Sequence, residues 1–174
     1  MTADLVIPVS ERVAAGHWTL VAGESTARFR VRDKLFGVAV GTIPVRSGRV
    51  VVGPGGRVDS AEVELDGAGI GTGNRHRDND LRKPRFLSVD AHPTIRVDSD
   101  GGPPSGDGWR LGARLAARGA DVPLELAVVL VAVDEGSARV HITARLDRTG
   151  LGIRVPTFVV GRMIDIEVDA AFRR

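Results

Sequence analysis

The 174-residue chain contains no cysteine, which removes disulfides, thiolate metal sites and thiol catalysis together. Aromatic residues make up only 4% of it, too few for the stacking platforms that hold single-stranded nucleic acid. Lysine is almost missing as well, since 22 of the 24 basic residues are arginine. Against 22 acidic residues the formal net charge is only +2, so the composition makes no case for a nucleic-acid partner. No apolar window approaches the length of a bilayer span. The stretch Met1 to Gly16 carries Asp4 and Glu11 and has no basic n-region, and its apolar run Leu5 to Val9 is short and interrupted by Pro8, unlike a signal-peptide core. These lacks lead to the expectation of a cytoplasmic protein with an N-terminal extension, 1–16, and one domain, 17–174. A chain of this length buries a substantial core without staples.

What the sequence does have is alternation. Ala27, Phe29 and Val31 alternate with Arg28, Arg30 and Arg32; Ala61, Val63 and Leu65 with Glu62, Glu64 and Asp66. Trp109, Leu111, Ala113, Leu115 and Ala117 oppose Arg110, Arg114 and Arg118. Ala138, Val140, Ile142, Ala144 and Leu146 oppose Arg139, His141, Thr143, Arg145 and Asp147. Ile164, Ile166, Val168, Ala170 and Phe172 oppose Asp165, Glu167 and Asp169. A period of two gives each strand one buried and one wet face, the pattern of antiparallel sheet. Further strands are expected near 17–22, 36–45, 49–52, 94–99 and 122–133. The last is apolar on both faces after Glu125, so its outer face calls for a cover: a helix, a loop or the second subunit of a homodimer. Glycine and proline clusters at 53–56, 101–104 and 134–136 mark turns, and 101–108 reads as a mobile loop. Only Asn74 to Lys83 reads as helix, with Asn74 as N-cap, Pro84 as stop and Leu81 pointing inward.

Eight or more such strands must stack or close, because an open sheet would leave its apolar face wet. Small inward residues (Ala27, Ala61, Ala113, Ala117, Ala144, Ala170) and the lack of a cysteine pair favour an all-β antiparallel barrel of about eight strands with one short helix. A barrel of that size holds one ligand, although small residues also suit a tightly packed interior. If first and last strands meet, Arg28, Arg30 and Arg32 fall beside Asp165, Glu167 and Asp169 as cross-strand pairs. Transient docking on an anionic membrane surface is another use for such arginine rows.

Several segments in order resemble the YceI-like family, lipocalin-like barrels associated with polyisoprenoid binding. Trp18-Thr19-Leu20 followed by Ser25-Thr26-Ala27-Arg28-Phe29-Arg30-Val31 resembles the family's first hairpin, and Phe36-Gly37-Val38-Ala39-Val40-Gly41 its next strand. Ile70-Gly71-Thr72-Gly73, Arg77-Asp78, Leu81, Phe86-Leu87 and Pro93 resemble its central helical excursion, with Asp80 where the family carries histidine. Leu115 to Pro123 resembles a later hairpin, Leu146-Asp147-Arg148-Thr149-Gly150-Leu151-Gly152-Ile153 the arginine-containing strand end, and Val168-Asp169-Ala170 the closing strand. The resemblance implies binding of a long apolar isoprenoid-type lipid, a polyprenyl chain or isoprenoid quinone, for storage, transport or protection. It implies no enzyme activity and no cofactor beyond that bound lipid.

The expected lipid-lining set is Phe29, Val31, Phe36, Val38, Ile70, Leu81, Phe86, Leu87, Ile95, Leu111, Leu115, Leu126, Ile142, Leu146, Ile153, Phe158, Ile164 and Ile166. All of these would also serve as ordinary core. The resemblance adds Arg148 and Asp78, either to orient a head group or to anchor structure. The alternative function is a packed-interior barrel acting through its surface as a protein-interaction or stress-associated module. A hydrolase using His76 or His92 is a third reading, but the signals for chemistry are thin. Gly69-Ile70-Gly71-Thr72-Gly73 has the wrong spacing for a dinucleotide fingerprint. His76-Arg77-Asp78 mimics a kinase loop without the rest of that signature. His17, His76, His92 and His141 lack i, i+4 ligand spacing, so no catalytic or metal-binding residue is assigned.

Overall fold

A computed structural model of the chain describes residues 7–33, 37–155 and 160–174. It contains eleven strands: β1 (Gly16–Leu20), β2 (Thr26–Asp33), β3 (Gly37–Ile43), β4 (Val45–Val52), β5 (Val58–Asp66), β6 (Thr94–Ser99), β7 (Pro104–Ser105), β8 (Gly108–Ala117), β9 (Ala120–Val133), β10 (Ser137–Asp147) and β11 (Val160–Arg173). Neighbours run β1-β4-β5-β6-β8-β9-β10-β11, and β11 returns to β1 through Thr19↔Arg173 and Leu20↔Phe172. All pairings in this circuit are antiparallel. It is a closed eight-stranded barrel, one of the two arrangements that the alternation allows.

Of the remaining strands, β2 and β3 lengthen the barrel at one end, while β7 pairs with the start of β8 at the other. β2 continues β1 beyond a 3-10 turn at Ala22–Glu24, and β3 leads into β4 across Pro44. Ser25 stitches the first break: its hydroxyl donates to the Val21 carbonyl at 2.8 Å and accepts from the Ala171 amide at 3.0 Å. β2 then pairs with the first half of β11, placing Arg30 opposite Asp165 and Arg28 opposite Glu167. The expected rows are present for Arg28 and Arg30, whereas Arg32 falls at the register shift between Val160 and Ile164 and faces no carboxylate on β11. Arg28 bonds Asp169, which also bonds His141 Nδ1 at 2.8 Å, and Arg145 bonds Asp165 at 3.0 Å.

Beyond Thr42, which bridges to Gly71, β3 has no strand partner on its second side among the described residues. The chain between β5 and β6, residues 67–93, lies against this gap. Its base is closed by the Gly67 amide donating to the Pro93 carbonyl at 2.8 Å. It carries the main helix, α2 (Arg75–Arg82), where the Asn74 side chain accepts from the Arg77 amide as the N-cap.

The core divides along the barrel axis. One cluster contains Trp18, Trp109, Val58, Val128 and Phe172; the other contains Leu65, Ile95, Leu115, Leu146 and Ile153. The end nearer the tryptophans is plugged by a short helix, α1 (Val9–Arg12), through Val9 and Val13. Residues expected as a mere extension thus supply core. Both indole N–H groups are satisfied there, Trp18 by the Ala14 carbonyl at 3.0 Å and Trp109 by the Gly56 carbonyl at 2.8 Å, which lets these large side chains be buried without an orphaned donor.

One expectation needs correction and another is narrowed. The 101–108 segment is not free-standing loop, because Gly102 exchanges backbone hydrogen bonds with Val58 and β7 pairs with β8. Among the described residues no helix or loop covers the apolar outer face of β9, where Val129 and Val131 are 38% and 60% exposed, which leaves the second subunit of the three expected covers.

Candidate functional site

The inward side chains of the barrel do not meet in the middle of its second half. The two-residue period of β2, β5, β8, β10 and β11 sends Phe29, Leu65, Leu115, Leu146 and Ile166 toward one another, but Ala27, Ala117, Ala144 and Ala170 alternate with them. The void left between has a volume of about 200 Å³ and an almost wholly apolar lining. Holding one water takes roughly 10–15 Å³ together with polar partners, so this space is far larger than a packing defect and offers water almost nothing to bond. Leu81 from α2 and Phe86 and Leu87 beyond it complete the wall at the excursion.

A second, smaller space of about 100 Å³ lies among Trp18, Trp109, Val128 and Val140 toward the plugged end. Val63, Val97, Leu126, Ile142 and Phe172 line both. They form a waist between an outer and an inner chamber.

Three loops frame the other end, and arginines tie them together. Arg148, only 2% exposed, donates from Nε to the Gly161 carbonyl at 2.9 Å, from Nη1 to Ile153 at 2.8 Å, and from Nη2 to Val155 at 2.8 Å and Val160 at 2.7 Å. Burial pushes this guanidinium below its ordinary pKa, and the adjacent Asp147 carboxylate opposes the shift. Arg118 donates to Leu151 at 3.1 Å and to Pro84 at 2.8 Å, joining the β8–β9 turn to the other two loops. It sits with Gly119 at positive φ (46° and 78°) in a two-residue hairpin turn, the geometry that matches strand twist. Asp78 accepts from the Thr72 amide and hydroxyl, and Arg77 Nε donates to the same hydroxyl. Both residues expected from the family motif, Arg148 and Asp78, therefore hold backbone turns in place.

The family model for the YceI-like domain matches residues 18–172. The chain belongs to the YceI-like family. No curated protein sequence matches it. Among solved structures it is similar to Burkholderia cenocepacia BcnA, at 14% identity and a TM-score of 0.78 over 87% of this chain and 98% of that one. It is also similar to a polyisoprenoid binding domain from Saccharophagus degradans implicated in plant cell wall breakdown, at 11% identity and a TM-score of 0.72, covering 90% and 97%. A mutant Campylobacter jejuni YceI protein with a monobromobimane guest aligns at 14% identity and a TM-score of 0.67, covering 77% and 84%. At these identities the likeness concerns the fold.

Within this YceI-like barrel most of the expected lining set converges. Phe29, Val31, Ile70, Leu81, Phe86, Leu87, Ile95, Leu115, Leu126, Ile142, Leu146, Arg148, Ile153, Ile164 and Ile166 all border the outer chamber. Leu111 points inward but borders the inner chamber instead. Phe36 and Phe158 lie outside the described residues. Val38 is a correction: it is 48% exposed and faces out. The register pairs Phe29 with Gly41, Val31 with Ala39 and Val38 with Arg32, so the small residues of β3 face in. A Cβ on Gly41 would come within 2.6 Å of two Phe29 ring atoms, so the ring occupies the room that glycine leaves. Arg118 was not singled out from sequence as a site residue; the Arg118-Gly119 pair between two alternating runs marks the turn, while the carbonyls it reaches are distant in the chain.

Nothing assembles into an evident reaction centre among the described residues. His17, His76 and His92 are exposed, and His141 lies half-buried beside Asp169. No group of three or more His, Cys, Asp or Glu side chains is placed to hold a metal there.

Proposed function

We propose that this YceI-like protein carries one long apolar lipid of the isoprenoid type, a polyprenyl chain or an isoprenoid quinone, in the outer chamber, for storage, transport or protection. The observation that carries the reading is the apolar void of about 200 Å³ in the half of the barrel that the N-terminal helix does not plug. Membership of a family whose structural neighbours include a polyisoprenoid binding domain supports it.

The energetics suit such a ligand. Each buried CH₂ contributes about 0.8 kcal/mol, so a five-carbon unit contributes about 4 kcal/mol gross. Association costs roughly 4–15 kcal/mol in lost freedom, so several units are needed before binding is tight. A branched chain wants shape and apolarity from its walls, and these walls provide little else. Arg148 is a poor head-group ligand because all its hydrogen-bonding directions named above end on carbonyls. The polar end of the lipid then lies at the loops, outside the apolar wall.

Native mass spectrometry of freshly purified protein, followed by organic extraction and identification of the lipid, tests this. One isoprenoid per chain is the expected result. A bare protein that also refuses added prenyl alcohols would overturn the reading and return attention to the outer surface.

A further inference from the structure

The charges of this chain are sorted along the barrel axis. The segments that frame the end opposite the plug are 67–93, the 117–120 turn and 148–155. Together they carry eight arginines and lysines and three aspartates, a formal +5 on a chain whose total is +2. The rest of the molecule is therefore at −3.

Wall arginines are paired only in part, since Arg30, Arg49 and Arg139 are exposed with no ion pair or side-chain hydrogen bond among the described residues. On the wall, Arg96 meets Glu62 at 3.2 Å, Arg110 meets Glu125 at 2.8 Å and Arg145 meets Asp165 at 3.0 Å. At the end opposite the plug Arg75, Arg85 and Arg154 are exposed, and among the described residues none of them forms a close ion pair or a side-chain hydrogen bond, although Arg85 lies within electrostatic reach of Asp80 and over the Phe86 ring. Some apolar exposure lies nearby, as it also does on β9: Val38 and Val40 on β3 are 48% and 47% exposed and Met163 at the start of β11 is 37% exposed. Both strands start at this end, where Asp33 pairs with Gly37 and with Val160.

We propose that this end is a docking face for an anionic lipid bilayer, on which the barrel sits mouth-down to take up or release its apolar cargo. The proposal rests on the carrier reading for the cargo, but the docking itself does not require a bound lipid. A cationic ring draws anionic headgroups, exposed valine and methionine side chains beside it enter the interface, and the negative remainder of the molecule turns the plugged end away. A bilayer is favoured over an acidic protein because the cations ring a cavity whose ligand would have to cross from one apolar medium to another without meeting water.

The test is co-sedimentation with phosphatidylcholine vesicles, with and without phosphatidylglycerol, at low and high salt. Binding is expected only with the anionic lipid and is lost in high salt, where screening shortens the reach of the charges. Arg75→Glu, Arg85→Glu and Arg154→Glu together should weaken it at least roughly tenfold. The matching lysine replacements should keep it, since charge rather than fork geometry is required. Arg49→Glu, Arg57→Glu and Arg139→Glu together, on the wall and toward the plugged end, should change it less than roughly twofold. Equal losses in the two glutamate triples, or equal binding to neutral vesicles, would overturn the proposal. Uptake of a prenyl alcohol from solution is followed in parallel. Wild type that takes up the alcohol but ignores anionic vesicles defeats the docking face alone; wild type that binds the vesicles but takes up no alcohol leaves the docking face standing and defeats the carrier reading.

Discussion

Arg148 concentrates more hydrogen bonding than any other side chain described above, and every one of those bonds ends on a backbone carbonyl between Ile153 and Gly161. Truncation would leave four acceptors short of a donor in a buried place, at roughly 1–3 kcal/mol for each that water cannot reach. Arg148→Ala should therefore lose at least about 3 kcal/mol in urea denaturation, with lipid binding falling alongside. Unchanged melting with lost binding would instead make it a head-group contact. Gly41 is the second sensitive position, because β3 has no space for a side chain beside the Phe29 ring and the Gly71 carbonyl. Gly41→Val should destabilise by about 1–3 kcal/mol, as overpacking does, and a melt within a degree of wild type would contradict this packing. Resemblance drew Arg148 out of the sequence. Its partners were not legible, because backbone carbonyls carry no sequence signature.

At the scale of elements, β10 lends itself to a clean experiment. Its inward residues run Ala138, Val140, Ile142, Ala144 and Leu146, and Ala144 borders the outer chamber. Ala144→Phe should fill that chamber from a rigid strand, abolishing lipid uptake while changing stability by less than about 2 kcal/mol either way, because an existing void receives the ring. Retained uptake would place the lipid elsewhere. The strands themselves were readable because alternation states both their type and their faces. β3 is instructive: in Val38-Ala39-Val40-Gly41 both phases are apolar or small, so period alone could not choose between them. Pairing with β2 decides, since Phe29 needs a glycine opposite. α2 was readable from its cap and stop, whereas α1 is a single turn with Pro8 at its N-cap and no side-chain capping bond.

For the whole molecule, closure is the property from which the rest follows. The charge rows were read as cross-strand pairs only on the condition that first and last strands meet; β1 does meet β11, and Arg28 and Arg30 of β2 face Glu167 and Asp165. Hollowness was not legible, because inward alanines suit a tight core as well as a cavity; only the three-dimensional spacing of the strands separates the two. The surface carboxylates give the molecule a pH signature. Asp169 is held below the ordinary value chiefly by its hydrogen bond with His141 and then by Arg28, Asp147 chiefly by Thr149, and Asp121 by Arg114. A folded-state pKa below the unfolded value of about 3.9 means that the unfolded chain binds more protons as acid is added. Stability should thus be fully present above about pH 4 and fall as pH drops through the lowered values. Urea midpoints taken across that range should decline only on the acid side; a decline beginning near neutrality would contradict this assignment.

The central claim is that an apolar chain occupies the interior. Its most direct test is calorimetric titration of delipidated wild-type protein and Ala144→Phe with a prenyl alcohol at several temperatures. The account predicts one site in wild type with a negative heat-capacity change, the mark of apolar burial, and no binding in the filled variant. Equal binding by both proteins would contradict it.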